Sequence, residues 1–268
     1  MAKATDDNKR KIYVNKIIPY RENAQRILSQ EQDALNQVRP ESIGYPLKQI
    51  ELSESMLNMA SNCLVMSGIS ISILGQRNEE ALNDGRKALY KSIIYLEKVV
   101  GNVVDAPFSD YEQKLRLIES ISPAQRYLLM RKLGLTVALM ESAYGENSKW
   151  RWAFVDLEGR FAAVAKNIIN LRDYFINSDP RSQHYEPTIF HLRLVKELMA
   201  QAADGYRQRY ELSTNRVDDF KMGITFLSAL KNLNILTGDR IEAETVKKKL
   251  EAWTAKLTSD MAKQIIRR

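Results

Sequence analysis

Punctuation is scarce in this chain. Its 268 residues include only 11 glycines and 7 prolines, so turns are few and regular segments long. A β-sandwich or barrel needs a turn signal every ~8–12 residues, and the sequence does not supply them. It supplies apolar side chains recurring at three- and four-residue intervals, the signature of one helix face. Alternation of the strand type shows only from Ile69 to Ile73, inside a helical stripe.

The residues that do punctuate mark helix starts and stops. A first helix is expected over Asp7–Val38, ended by Arg39-Pro40 and kinked or split at Pro19. Its stripe of Ala24, Leu28, Leu35 and Val38 is interrupted by Glu31. A second runs from Pro46 to Gly75, with Leu52, Met56, Met59, Cys63 and Met66 on one stripe. A third follows Asn78 and stops near Gly101 or Asp105. Ser109 with Glu112 is a capping box for a short fourth, and Ser122, Pro123 and Gln125 repeat that logic for a fifth. The fifth is apolar on most faces, so it is expected to be surrounded by other helices. A sixth is expected from Ser148 to Ile176, a seventh from Thr188 to Glu211, and an eighth from the Ser213–Asn215 caps to Gly238. Asp239 with Glu242 opens a ninth, running toward Arg268.

About nine helices with short connections predict an all-α fold, a large antiparallel bundle built of helix hairpins. An irregular α-solenoid is the second architecture compatible with the pattern. The division expected is an N-terminal subdomain over residues 1–105 and a C-terminal bundle over 109–268, or one continuous domain. Met56 to Gly75 carries no charge and imitates a membrane span. Its two asparagines and four serines would each need a polar partner in lipid, so a buried helix of a soluble protein is expected, with no transmembrane span. No apolar run follows Lys3, Lys9, Arg10 and Lys11, which argues against a secretory signal. The lone Cys63 cannot form an internal disulfide; together these features predict a cytoplasmic protein.

The formal charge of +7 is unevenly placed. Residues 1–40 hold 8 basic and 5 acidic side chains, residues 240–268 hold 8 and 4, and the stretch between holds 24 of each. A neutral body with two basic ends suits an assembly part better than an enzyme built around one pocket.

Chemistry-bearing spacings are missing. His184 and His191 flank Glu186 without Glu-x-x-His or His-Glu-x-x-His, so neither a di-iron bundle nor a zincin site is indicated. No phosphate-cradling glycine loop and no Gly-x-Ser-x-Gly elbow occurs. Asp218-Asp219 lacks a third acid one turn later and suits a helix first turn. No catalytic residue, metal or cofactor is therefore expected.

Three surfaces remain as binding candidates. Trp150, Arg151 and Trp152 combine residue types favoured at interface hot spots; two tryptophans two apart point to different faces, one expected buried and one partly exposed. The last helix sets Trp253 in an apolar stripe and decorates it with Lys247, Lys248, Lys249, Lys256, Lys263, Arg267 and Arg268, a basic amphipathic pattern suited to a partner groove or an anionic surface. Arg207 and Arg209, interleaved with Tyr206 and Tyr210, are candidates for holding an anion. The function expected is a non-enzymatic scaffold, adaptor or assembly subunit working through a protein partner or a second copy. The alternative is a binder of nucleic acid or an anionic surface through the basic ends, which would show steep salt dependence.

Overall fold

The computed structural model describes residues 2–145 and 148–266. Among these, ten α-helices and no strand occur: α1 (Ala2–Gln37), α2 (Tyr45–Leu74), α3 (Glu79–Val100), α4 (Glu112–Arg116), α5 (Pro123–Tyr144), α6 (Arg151–Asn167), α7 (Leu171–Asn177), α8 (Tyr185–Arg209), α9 (Val217–Leu236) and α10 (Arg240–Ile266). The protein is all-α.

The chain forms two compact units, and they are not sequential. One takes residues 1–100, 114–121 and 128–148; the other takes 101–113, 122–127 and 149–268. A cut was expected near 105–109; the chain first crosses between the units at 100/101, and most of α4 and of α5 belong with the N-terminal helices.

In the first unit α1, α2 and α3 run up, down and up. Buried Ile17 of α1 lies in one cluster with Cys63 and Met66 of α2 and Ala81 of α3. Further along α1, Glu31 meets Lys91 and Tyr95 of α3, so α1 and α3 run parallel with α2 reversed between them. Pro19 lies inside α1 without ending it. A mid-helix proline costs ~3 kcal/mol, and the buried anchor at Ile17, flanked by Tyr13 and Tyr20, holds the helix through it. Glu31 interrupts the apolar stripe because its carboxylate is a buried acceptor: Lys91 donates to it at 2.6 Å and the Tyr95 hydroxyl donates to its other oxygen. Two buried serines of α2 also find partners. Ser53 and Ser92 share a buried 2.8 Å hydrogen bond, and Ser67 Oγ accepts from the Asn78 amide. By length and composition α2 could cross a membrane, with a mean hydropathy of 1.5 over its most apolar window, 39% of which is buried in the fold. Gly85 lets α3 approach closely: a Cβ there would lie 2.5 Å from Met140 Cε and 2.9 Å from Cys63 Cβ. Burial pushes the Cys63 thiol up to about 12, which keeps it an inert, protonated core side chain.

The second unit is an antiparallel layer of α6, α8, α9 and α10. Lys196 and Lys249 tie α8 and α10 together, pairing with Asp239 and Asp204, and those pairs climb both helices in the same direction. The two therefore run parallel, with α9 reversed against them. The single helix expected over 148–176 is broken. Asn167 turns its side-chain amide onto the carbonyls of Gly101 and Val103, and Asn170 caps a new helix by accepting from the Arg172 amide. Tertiary hydrogen bonding thus wins over a continuous stripe.

Candidate functional site

Two of the expected caps form, while the Ser109 hydroxyl donates to Asp110 instead and α9 starts after Arg216 with no side-chain cap. Ser122 and Gln125 exchange hydrogen bonds at 2.9 and 3.3 Å, and Asp239 accepts from the Glu242 amide. These fix where α5 and α10 start, and with them which faces the two helices present.

On α10 the buried face is Ala243, Val246, Trp253 and Leu257. Trp253 is 3% exposed. Its ring packs on Phe220 and lies 4.9 Å beneath both the Arg207 guanidinium and the Lys249 ammonium. The expectation of a partner-binding Trp253 is therefore corrected: the indole is core, closed off by two cations. The lysines are largely engaged within the unit. Lys249 pairs with Asp204 at 2.8 Å, Lys256 with Asp260 at 3.3 Å and Glu211 at 3.7 Å, and Lys247 with Glu244 at 3.4 Å. Lys248 and Lys263 remain on the exposed face. Arg267 and Arg268 lie outside the described residues.

Arg209 is also corrected. Its guanidinium pairs with Asp156 at 2.8 Å and Asp219 at 2.5 Å, donates to the Trp152 carbonyl, and stacks on Tyr206. Burial opposes its charge, and the two carboxylates more than restore it, so its pKa lies above the ordinary value. The Arg209 charge is thus matched by carboxylates of its own unit. The Thr214 hydroxyl donates to the second oxygen of Asp219, which fixes a π-helical turn over Tyr210–Thr214 that ends at Asn215 in the left-handed region, φ 51°. Asp219 thus serves as Arg209's partner rather than as a bare first-turn charge. Arg207 pairs with Glu211 at 3.0 Å.

Trp150 and Trp152 are both half-buried, where one was expected inside and one out. Each carries a cation on its ring, Lys149 at 5.4 Å and Arg151 at 4.8 Å. Arg151 is exposed. They form a small aromatic and basic corner at the start of α6.

His191 is buried, and an imidazole N–H donates to the Ala165 carbonyl. Burial holds its pKa down at about 3, so it is a neutral core residue beside Tyr127.

The surface that sequence reasoning missed lies on α5. That helix is not surrounded. Leu128, Leu135 and Leu139 are 50%, 62% and 50% exposed, while Leu129, Met130, Leu133, Val137 and Met140 are buried. Spacings of seven and four put the three leucines on one open face. Arg131, Lys132 and Ala138 are exposed among them, and Lys132 is tied to Glu54 at 3.0 Å. The signal was present in the sequence as a helix apolar all round; the number of helices available to cover it was not.

No curated protein and no solved structure matches this chain significantly. A family model does match, over residues 9–261, nearly the whole length. The chain belongs to the TP0443 family.

Proposed function

We propose that the protein is a non-enzymatic assembly subunit that works by protein–protein contact through the open face of α5. The observation that carries this is the leucine face itself. A helix apolar on every side is normally enclosed, and this one is enclosed on one side only. Fully burying a leucine is worth ~1.5–3 kcal/mol. Three leucines at roughly half exposure therefore hold about 2–5 kcal/mol in reserve for a partner, a difference of well over tenfold in affinity. Leucines at heptad spacing, with small Ala138 between them, suit an apposed apolar helix.

The test combines sedimentation velocity of the full chain with site-specific photocrosslinking in cells. A crosslinker at position 135 should give discrete protein adducts that one at exposed Gln208 does not, and Leu135→Glu should remove any associated species. Adducts equal at both positions, with sedimentation unmoved by Leu135→Glu, would overturn the proposal. A second reading, binding of nucleic acid or another anionic surface by the chain ends, is supported by Lys248 and Lys263, which face solvent on α10. It expects binding that falls steeply with salt and disappears in the Lys248→Glu/Lys263→Glu variant.

A further inference from the structure

The second unit contains a pocket of about 630 Å³, within the ~300–1,000 Å³ span of small-molecule sites. Phe108, buried Tyr111 and buried Leu233 line it, and Phe175, Ile235 and Leu236, each more than half exposed, form an apolar rim. Into this apolar space the last turn of α6 delivers Lys166, which is only 9% exposed. Its Nζ donates to the Ala106 carbonyl at 2.7 Å and sits 4.8 Å from the Tyr111 ring centroid. An ammonium has three donors, so the carbonyl accounts for one of them. Asp105 and Asp110 act on it only at a distance; among the described residues no carboxylate lies within ion-pair range of Nζ. The other cation of the pocket, Arg172, is held by Glu112 at 2.8 Å.

A buried charge without a counter-ion is costly, and burial lowers this amine to about 8. A ligand that supplied one carboxylate would meet the two remaining N–H donors and cancel the charge. A phosphate dianion would want several donors and cations, which the lining does not offer. A neutral apolar molecule would leave the ammonium unmatched.

We propose that this pocket binds a small apolar carboxylic acid, with its carboxylate on Lys166 Nζ and its hydrocarbon body against Phe108, Leu233 and Leu236. This site is separate from the α5 face, and its test does not depend on association.

The experiment is isothermal titration of the full chain with decanoate and with decanol, the same chain length without charge. Decanoate should bind at least tenfold more tightly at pH 7. At pH 8 its binding should take up protons, seen as a heat that varies with buffer ionisation, because a carboxylate favours the charged amine. Lys166→Met keeps the stem and removes the charge; it should still bind decanol and should lose both the preference and the proton uptake. Leu236→Glu, a change at an exposed rim position that the fold tolerates, should weaken decanoate more than decanol and serves if Lys166→Met melts early. No binding of either ligand by the wild type, equal affinity for both, or a preference that survives Lys166→Met or Leu236→Glu would overturn the proposal.

Discussion

The two units share a plan and differ in where they leave apolar surface. Each has three helices running up, down and up: α1, α2, α3 in the first and α8, α9, α10 in the second. In the first, buried polar groups pair across its helices, as in Ser53 with Ser92 and Glu31 with Lys91 and Tyr95. Its uncovered apolar surface faces outward on α5. In the second, charge penetrates the packing. Arg209 is fixed between Asp156 and Asp219 beside a cluster of Tyr206, Tyr210, Phe220 and Trp253, and an apolar pocket with a solvent-exposed rim lies around Lys166. One arrangement suits a macromolecular partner and the other a small molecule. The same helical pattern serves both because the site depends on which face is left unpacked, not on the fold class.

Arg209 offers the strongest way to break that contrast. Arg209→Met should lower stability by about 3–5 kcal/mol, since it strands the buried Asp219 carboxylate. The loss should appear in hydrogen exchange of α8, α9 and the π-helical turn, with α1–α3 protected as before. Equal loosening of both units would mean the network is not a feature of the second unit alone.

His191 sharpens the contrast by pH. Its folded pKa of about 3 lies below the ordinary 6.5, so between those values the unfolded chain holds a proton that the folded chain does not. Stability from this group is full above pH 6.5 and lost as pH falls through the window to 3. The linkage amounts to roughly 5 kcal/mol at its limit. Thermal melts from pH 7 to pH 4 should show this slope, and His191→Gln should flatten it. A variant with an unchanged slope would place the acid sensitivity elsewhere. Lys166 has the same sign at the other end. Its folded pKa of about 8 lies below 10.5, so it opposes folding at neutral pH and its penalty fades as pH rises from 8 to 10.5.

Most of the helices were legible before any coordinate, because caps are local. Ser122–Gln125, Asp239–Glu242 and the left-handed Gly75 each act within one turn of chain. What was not legible depends on distant segments. The break at Ile168 exists because Asn167 reaches back to Gly101 and Val103. Lys166 looks like one more helix lysine until the loop carrying Ala106 and Tyr111 folds over it. Arg209 and Trp253 resembled surface features because their carboxylate and aromatic partners come from other helices. Glu31, which spoiled a stripe on paper, became a buried acceptor once α3 brought Lys91 and Tyr95 alongside.

The smallest effect expected on stability is the most diagnostic for function. Leu133 and Leu135 stand two apart on α5; the first is fully buried and the second 62% exposed. Leu135→Glu places a charge already in contact with water, so stability should change by less than about 0.5 kcal/mol. Leu133→Ala on the same helix should cost about 2–5 kcal/mol by leaving a cavity. A matched pair of melts measures this directly. If Leu135→Glu lowers stability as Leu133→Ala does, the leucine is packed within the chain and the outward face disappears. If it leaves the melt unmoved while removing association, the exposed surface is held in reserve for a partner, because nothing within the chain gains by covering it.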